Sequence, residues 1–263
     1  MAHIYTIVNQ KGGVGKTTTA INLGAYLGTY GQKVLLIDLD PQTNATSCLG
    51  VEKKAIRYGT YEVIIGNVDL ASTILHNPRF KLSIVPSTPA LAGAEVELIA
   101  MENREYRLRE AISTVKDRYD YILIDCPPSL SILTVNGLMA AQDGVLIPVQ
   151  CEYLALEGLT QLTQTLNRAR NSLYPGLVVR GVILTMYDGR TNLALDVVKE
   201  VKKYFSDRVF QNIIPRSIRA AEAPSFGEPI SIYAPESTAA HAYSELAKEI
   251  LLQDGALISE VHE

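Results

Sequence analysis

Cysteine is scarce in this chain. Its 263 residues include only three, Cys48, Cys126 and Cys151. The count is odd and no CxxC pair occurs, which argues against a disulfide framework or a cysteine-based zinc site and favours a reducing cytoplasm. Long apolar runs are missing too: none approaches the ~20 residues a membrane-spanning helix needs. The N-terminus lacks the basic-then-apolar pattern of a signal peptide. Positive charge is not in excess, since the formal net charge is −4. A polycationic nucleic-acid binder is therefore excluded, whereas a local basic patch is not. Low-complexity tracts and internal repeats are absent, and no Pro-, Gly- or Ser-rich linker divides the chain. One domain covering residues 1–263 is expected.

What remains is an ordinary globular composition, 47% hydrophobic and 20% charged, in which short β-branched runs alternate with longer amphipathic stretches. Residues 4–8, 34–37, 122–124, 145–149 and 178–185 read as strands, several of them continuously apolar, as strands buried on both faces are. Helical spacing falls near 17–30, 90–101, 104–117, 130–141, 153–172, 192–205 and 237–252, with Gly31 placed as the glycine that ends the first helix. The segment 50–90 is the least regular. This alternation predicts an α/β fold: a doubly wound, mostly parallel sheet with helices on both faces, whose ligands bind beyond the C-terminal ends of the strands.

The first strand runs into Asn9-Gln10-Lys11-Gly12-Gly13-Val14-Gly15-Lys16-Thr17-Thr18, which opens the first helix. Gly12, Gly13 and Gly15 let the backbone curl so that successive N–H groups face phosphate oxygens, and the helix start adds its positive end. Lys16 supplies an ammonium for the β- and γ-phosphates, and the Thr17 hydroxyl suits Mg²⁺. Residues 11–18, Val14 and Thr18 included, are the candidate ATP contacts. Gln10 stands where the usual GxxxxGK[ST] pattern has its first glycine. Two lysines five residues apart, Lys11 and Lys16, give the loop one more cation than a single subunit needs. The second strand ends in Asp38-Leu39-Asp40-Pro41, and a third apolar run ends in Asp125-Cys126-Pro127-Pro128. Both place carboxylates at the sheet edge beside the loop. Asp125 matches the Walker B acid that holds Mg²⁺ through water.

Lys-Gly-Gly-Val-Gly-Lys-Thr-Thr closely resembles the deviant Walker A motif of the ParA/MinD superfamily of P-loop NTPases. That superfamily includes ParA partition ATPases, MinD division-site ATPases, nitrogenase iron proteins and arsenite-pump ATPases. The resemblance covers nearly the whole chain and is nearest to the short chromosomal ParA type called Soj. It implies an ATP-sandwiched homodimer in which Lys11 reaches the partner subunit's phosphates. Asp40 would orient the attacking water, and Asp38 would support the loop and metal shell. The segment 213–217 resembles the family's adenine-contacting stretch, which makes Pro215 and Ser217 candidate base contacts, although relatives usually carry Asn where Ser217 stands. Arginines matching Arg190 and Arg219 bind double-stranded DNA without sequence preference. In Ala221-Glu222-Ala223-Pro224-Ser225-Phe226-Gly227 the family's usual Ser and His are replaced by Ala221 and Phe226.

The function so implied is DNA partitioning by an ATPase that a ParB-type partner stimulates, in the cytoplasm and on the nucleoid. No helix-turn-helix extension precedes the first strand, so operator binding is not expected. A ParA-like ATPase that positions another cargo is the alternative. A MinD-like membrane ATPase would need a basic amphipathic tail, whereas residues 251–263 are acidic and broken by Gly255. A nitrogenase-type reductase would need cluster cysteines, and Cys126 and Cys151 do not stand in that context.

Overall fold

The computed structural model describes residues 1–153 and 155–258. Seven strands form one sheet: β1 (His3–Ile7), β2 (Val34–Asp38), β3 (Leu75–Asn77), β4 (Leu82–Val85), β5 (Tyr121–Asp125), β6 (Gly144–Gln150) and β7 (Val179–Thr185). Their spatial order is β3-β4-β2-β5-β1-β6-β7. Every pairing is parallel except β3 with β4. Among the described residues five helices have nine or more residues: α1 (Lys16–Thr29), α2 (Ile132–Ala140), α3 (Ala155–Ser172), α4 (Asn192–Phe205) and α5 (Thr238–Gln253). Leu154, which falls within the helix read at 153–172, lies outside the described residues.

The apolar runs do bury both faces. On β2, Leu35 and Ile37 join one core layer while Val34 and Leu36 join the other; on β5, Ile122 and Ile124 oppose Tyr121 and Leu123 in the same way. A period of two splits each run between two helical layers, which is why the strands read as unbroken hydrophobic stretches. Helix α1 ends as its glycine predicts. Gly31 adopts φ 88°, and its N–H and that of Gln32 donate to the Gly28 and Leu27 carbonyls, closing the last turn.

The sequence reading missed β3 and β4 within the irregular 50–90 segment. Both are too short to show a period, and they extend the sheet beyond β2. The stretches at 90–101 and 104–117 form shorter helices, Leu91–Glu97 and Arg107–Ser113, than their spacing suggested.

Helix α5 lies on α1 and buries Ala239, Ala240, Tyr243, Leu246 and Ile250. Its end is tied to the N-terminal edge of the sheet by Asp254, whose carboxylate accepts hydrogen bonds from Tyr5 (2.8 Å), Tyr121 (3.1 Å) and Arg180 (2.8 Å). The Asp254 side chain is only 3% exposed. Asp254→Ala would strand a guanidinium and two hydroxyls at a dry site, costing about 3 kcal/mol. A lowered denaturant midpoint is the expected result, and an unchanged midpoint would show the cluster to be decorative.

Candidate active site

Because β1, β2, β5, β6 and β7 run parallel, their C-terminal ends form one edge, and the chemistry-bearing residues collect there. Gly13 and Gly15 adopt φ 75° and 88°, the left-handed conformation that curls the loop between β1 and α1. Helix α1 begins at Lys16 without a side-chain cap and without an acidic residue in its first turn. Its first N–H groups are therefore open to an anion, and no neighbouring carboxylate competes for them. The loop is pinned from behind. Asn9 donates to the Pro148 carbonyl (2.8 Å), and Thr185 donates to the Val14 carbonyl (2.8 Å).

Lys16 is buried, 6% exposed, and its ammonium donates to the Lys11 carbonyl at 3.1 Å. Burial lowers its pKa, while the charges of Asp125 and Asp40 hold the proton on. Asp125 is fully buried, and neither of its oxygens reaches a hydrogen-bond partner. Burial raises its pKa well above the usual carboxylate range. The Asp38 charge adds to this, and the nearby Thr17 hydroxyl and Lys16 work against it. A carboxylate left this way needs a cation or ordered water. With the Thr17 hydroxyl beside it, the donor set is the hard-oxygen kind that suits Mg²⁺.

Asp38 stands opposite Asp125 in the parallel register of β2 and β5, but it is occupied differently. It accepts hydrogen bonds from the Thr46 N–H (2.8 Å), the Thr46 hydroxyl (2.6 Å) and the Asp40 N–H (3.2 Å). Burial pushes its pKa up to about 6 against these bonds. Around it lies a network that sequence reading missed. The Ser87 N–H donates to the Thr46 hydroxyl, the Ser87 hydroxyl to the Asp40 carbonyl, and the Thr60 hydroxyl to the Asp38 carbonyl. These contacts fix the backbone on both sides of Asp40. The Asp40 side chain lines the site, with one oxygen accepting from the Gln42 N–H at 2.8 Å.

A cavity of about 340 Å³ is lined by Lys16, Thr17 and Asp40, while the fully buried Asp38 and Asp125 lie behind its wall; its size suits a nucleotide-sized ligand. One end, formed by Gly12, Gly13, Lys16 and Thr17, is complementary to a phosphate. The other is walled by Cys48, Met186, Ala220, Ala223 and Pro224, with Glu228 at its rim. Pro215 and Ser217 do not line it. Pro215 bridges to Tyr187, and the Ser217 hydroxyl accepts from the Ala220 N–H as the cap of the short helix Ile218–Glu222. Lys11 is likewise absent from the cavity wall. Arg190 and Arg219 lie exposed on neighbouring segments: Tyr187 donates to the Ile214 carbonyl, and Arg216 donates back to Tyr187. Arg190 holds Asp188 through two bonds (2.8 and 2.6 Å), and Arg219 holds Glu222 at 3.0 Å. Phe226, standing in the usual histidine's place, stacks on Tyr233 at 4.8 Å between ring centroids, and Tyr233 in turn donates to Glu222.

A profile described as an AAA domain matches residues 2–179. The sporulation initiation inhibitor protein Soj of Bacillus subtilis is 52% identical over 95% of this chain and 98% of its own length. The chromosome-partitioning ATPase Soj of Treponema pallidum is 50% identical over 97% of this chain and 99% of its own. The chain belongs to the ParA family of P-loop ATPases.

Solved structures share the fold. A Mycobacterium smegmatis protein described as cobyrinic acid a,c-diamide synthase, with bound ADP and magnesium, superposes with a TM-score of 0.85 at 34% identity over all of both chains. The Pyrococcus horikoshii septum site-determining protein MinD, complexed with Mg-ADP, gives 0.75 at 29% identity over 97% of this chain and 98% of its own. ATP and Mg²⁺ are the cofactors of this ParA-family ATPase, and the uncapped helix start and the unpartnered Asp125 have the chemistry that would hold them.

The three cysteines are free, and no group of three or more His, Cys, Asp or Glu side chains suited to a metal occurs among the described residues. No described helix is long and apolar enough to cross a membrane. The apolar face of α5 is engaged against α1, and residues 259–263 of the tail that a MinD-like anchor would occupy lie outside the described residues.

Proposed function

We propose that this chain is a DNA-partitioning ATPase. Its ATP-bound form pairs with a second copy, binds double-stranded DNA without sequence preference on the nucleoid, and releases it when a ParB-type partner stimulates hydrolysis. The observation that carries the reading is the division of labour between the two loop lysines. Lys16 lines its own cavity and Lys11 does not, so Lys11 remains available for the phosphates of a nucleotide held by the other subunit. Asp40 and Asp125 take the water-orienting and metal-holding roles, and Pro215 and Ser217 approach the base once nucleotide is bound. The names of the Bacillus and Treponema relatives support the cellular role.

DNA retention measured with ATP, with ADP and without nucleotide tests this directly. Retention confined to the ATP state is expected, and equal retention in all three would remove the switch. Arg190→Glu with Arg219→Glu should weaken retention and reduce the slope of log affinity against log salt concentration by about two per engaged protomer. A wild-type salt slope would clear this patch of any role. The ion pairs already made by both arginines add a second expectation. Arg190 holds the Asp188 carboxyl down to about 2, so Asp188 stays charged at physiological pH and competes with DNA phosphate for the same guanidinium fork. Asp188→Asn should therefore tighten DNA binding, and weaker binding would mean that Asp188 orients Arg190 for the phosphate.

A further inference from the structure

Gln10, the residue that replaces the first glycine of the usual phosphate-loop pattern, makes a contact that no glycine can make. Its backbone is outside the left-handed region, so glycine is not required there. Its side-chain amide donates to the Thr165 hydroxyl at 3.0 Å, and that hydroxyl donates onward to the Gln161 carbonyl at 3.2 Å. The result is a directed chain of hydrogen bonds from the phosphate loop into the middle of α3, between residues 155 positions apart.

The residues on either side of Gln10 show what the contact controls. Asn9 accepts from the Lys11 N–H at 3.0 Å, and the Lys11 carbonyl accepts from Lys16 at 3.1 Å. Gln10 thus sits within the short stretch of backbone that aims Lys11 and supports Lys16. On its other side α3 shares one buried core with α4, formed by Leu159, Leu162 and Leu166 against Val197, Val201 and Phe205, and the grooves beside Tyr204 are open to solvent.

We infer that Gln10 and Thr165 are positioning residues, which make the placement of Lys11 depend on the position of α3. The inference rests on the role proposed above for Lys11. Its physical content is narrow: one hydrogen bond fixes the direction of a long, rotamer-rich side chain whose reach to a second subunit's phosphates is sensitive to small displacements of its backbone.

The test compares Thr165→Val, Thr165→Ser, Gln10→Ala and the Gln10→Ala/Thr165→Val double variant, with ATP affinity measured by calorimetry and turnover at saturating ATP. Thr165→Val should lower kcat about tenfold with ATP affinity within about twofold of wild type. Thr165→Ser should restore turnover, and the double variant should be no worse than either single one, because both remove the same bond. Additive losses, an impaired Thr165→Ser, or full turnover by Thr165→Val would each overturn the inference. Lys11→Ala, run alongside, judges the reading of Lys11 separately: wild-type turnover by that variant would defeat the Lys11 role, while shared losses in the Gln10 and Thr165 variants would still establish the coupling.

Discussion

Lys16→Ala is expected to abolish ATP binding. The ammonium is buried at the start of α1, between the Lys11 carbonyl and the carboxylates of Asp40 and Asp125. Its loss removes charge-assisted contacts to the phosphates. It also removes the positive charge that offsets Asp40 and Asp125 beside the site. Together these effects amount to about 4 kcal/mol or more, roughly a thousandfold in affinity. A calorimetric titration with Mg²⁺ and ATP should show no measurable heat, with circular dichroism confirming that the variant is folded. A folded variant with wild-type affinity would move the nucleotide away from this loop, and with it every role assigned to the surrounding residues.

Asp40→Ala should separate binding from chemistry. One Asp40 oxygen is held by the Gln42 N–H and the backbone on both sides is fixed by Asp38 and Ser87, so the carboxylate is aimed into the cavity by the fold and not by the ligand. Removing a preorganised group that orients a nucleophilic water costs about a hundredfold or more in turnover. The binding contacts, made by the loop backbone, Lys16 and Thr17, are untouched. Phosphate release should therefore collapse while sedimentation with ATP still shows the heavier species. Rapid phosphate release by the variant would take Asp40 out of the mechanism. Loss of ATP binding would recast it as a structural partner of Lys16.

Much of this site is written in local pattern. The glycines at 13 and 15, the lysine at the helix start and the strands ending in Asp38 and Asp125 are short-range features. Each reflects a backbone conformation or a buried edge that a few neighbouring residues specify. The five strands recognised from sequence are the ones whose two buried faces leave a continuous apolar signature. Strands β3 and β4 escaped because three or four residues cannot display a period, and β3 contributes two exposed positions.

The remainder depended on which surfaces meet. Thr46, Thr60 and Ser87 are unremarkable hydroxyls along the chain, yet the fold gathers them around Asp38 and Asp40. The Ser217 hydroxyl caps a short helix, a role the sequence did not show, while Ala220, Ala223 and Pro224 line the cavity. Nothing near Gln10 in sequence points to Thr165. Periodicity was enough to specify a parallel sheet, and the glycine–lysine motif between β1 and α1 was enough to point to a phosphate-cradling loop on it, because the first follows from which side of each element is buried and the second from backbone geometry. Periodicity records that a face is covered and carries no record of what covers it. The pairing of Gln10 with α3 and the seat of α5 on α1 were therefore decided only when distant segments packed together.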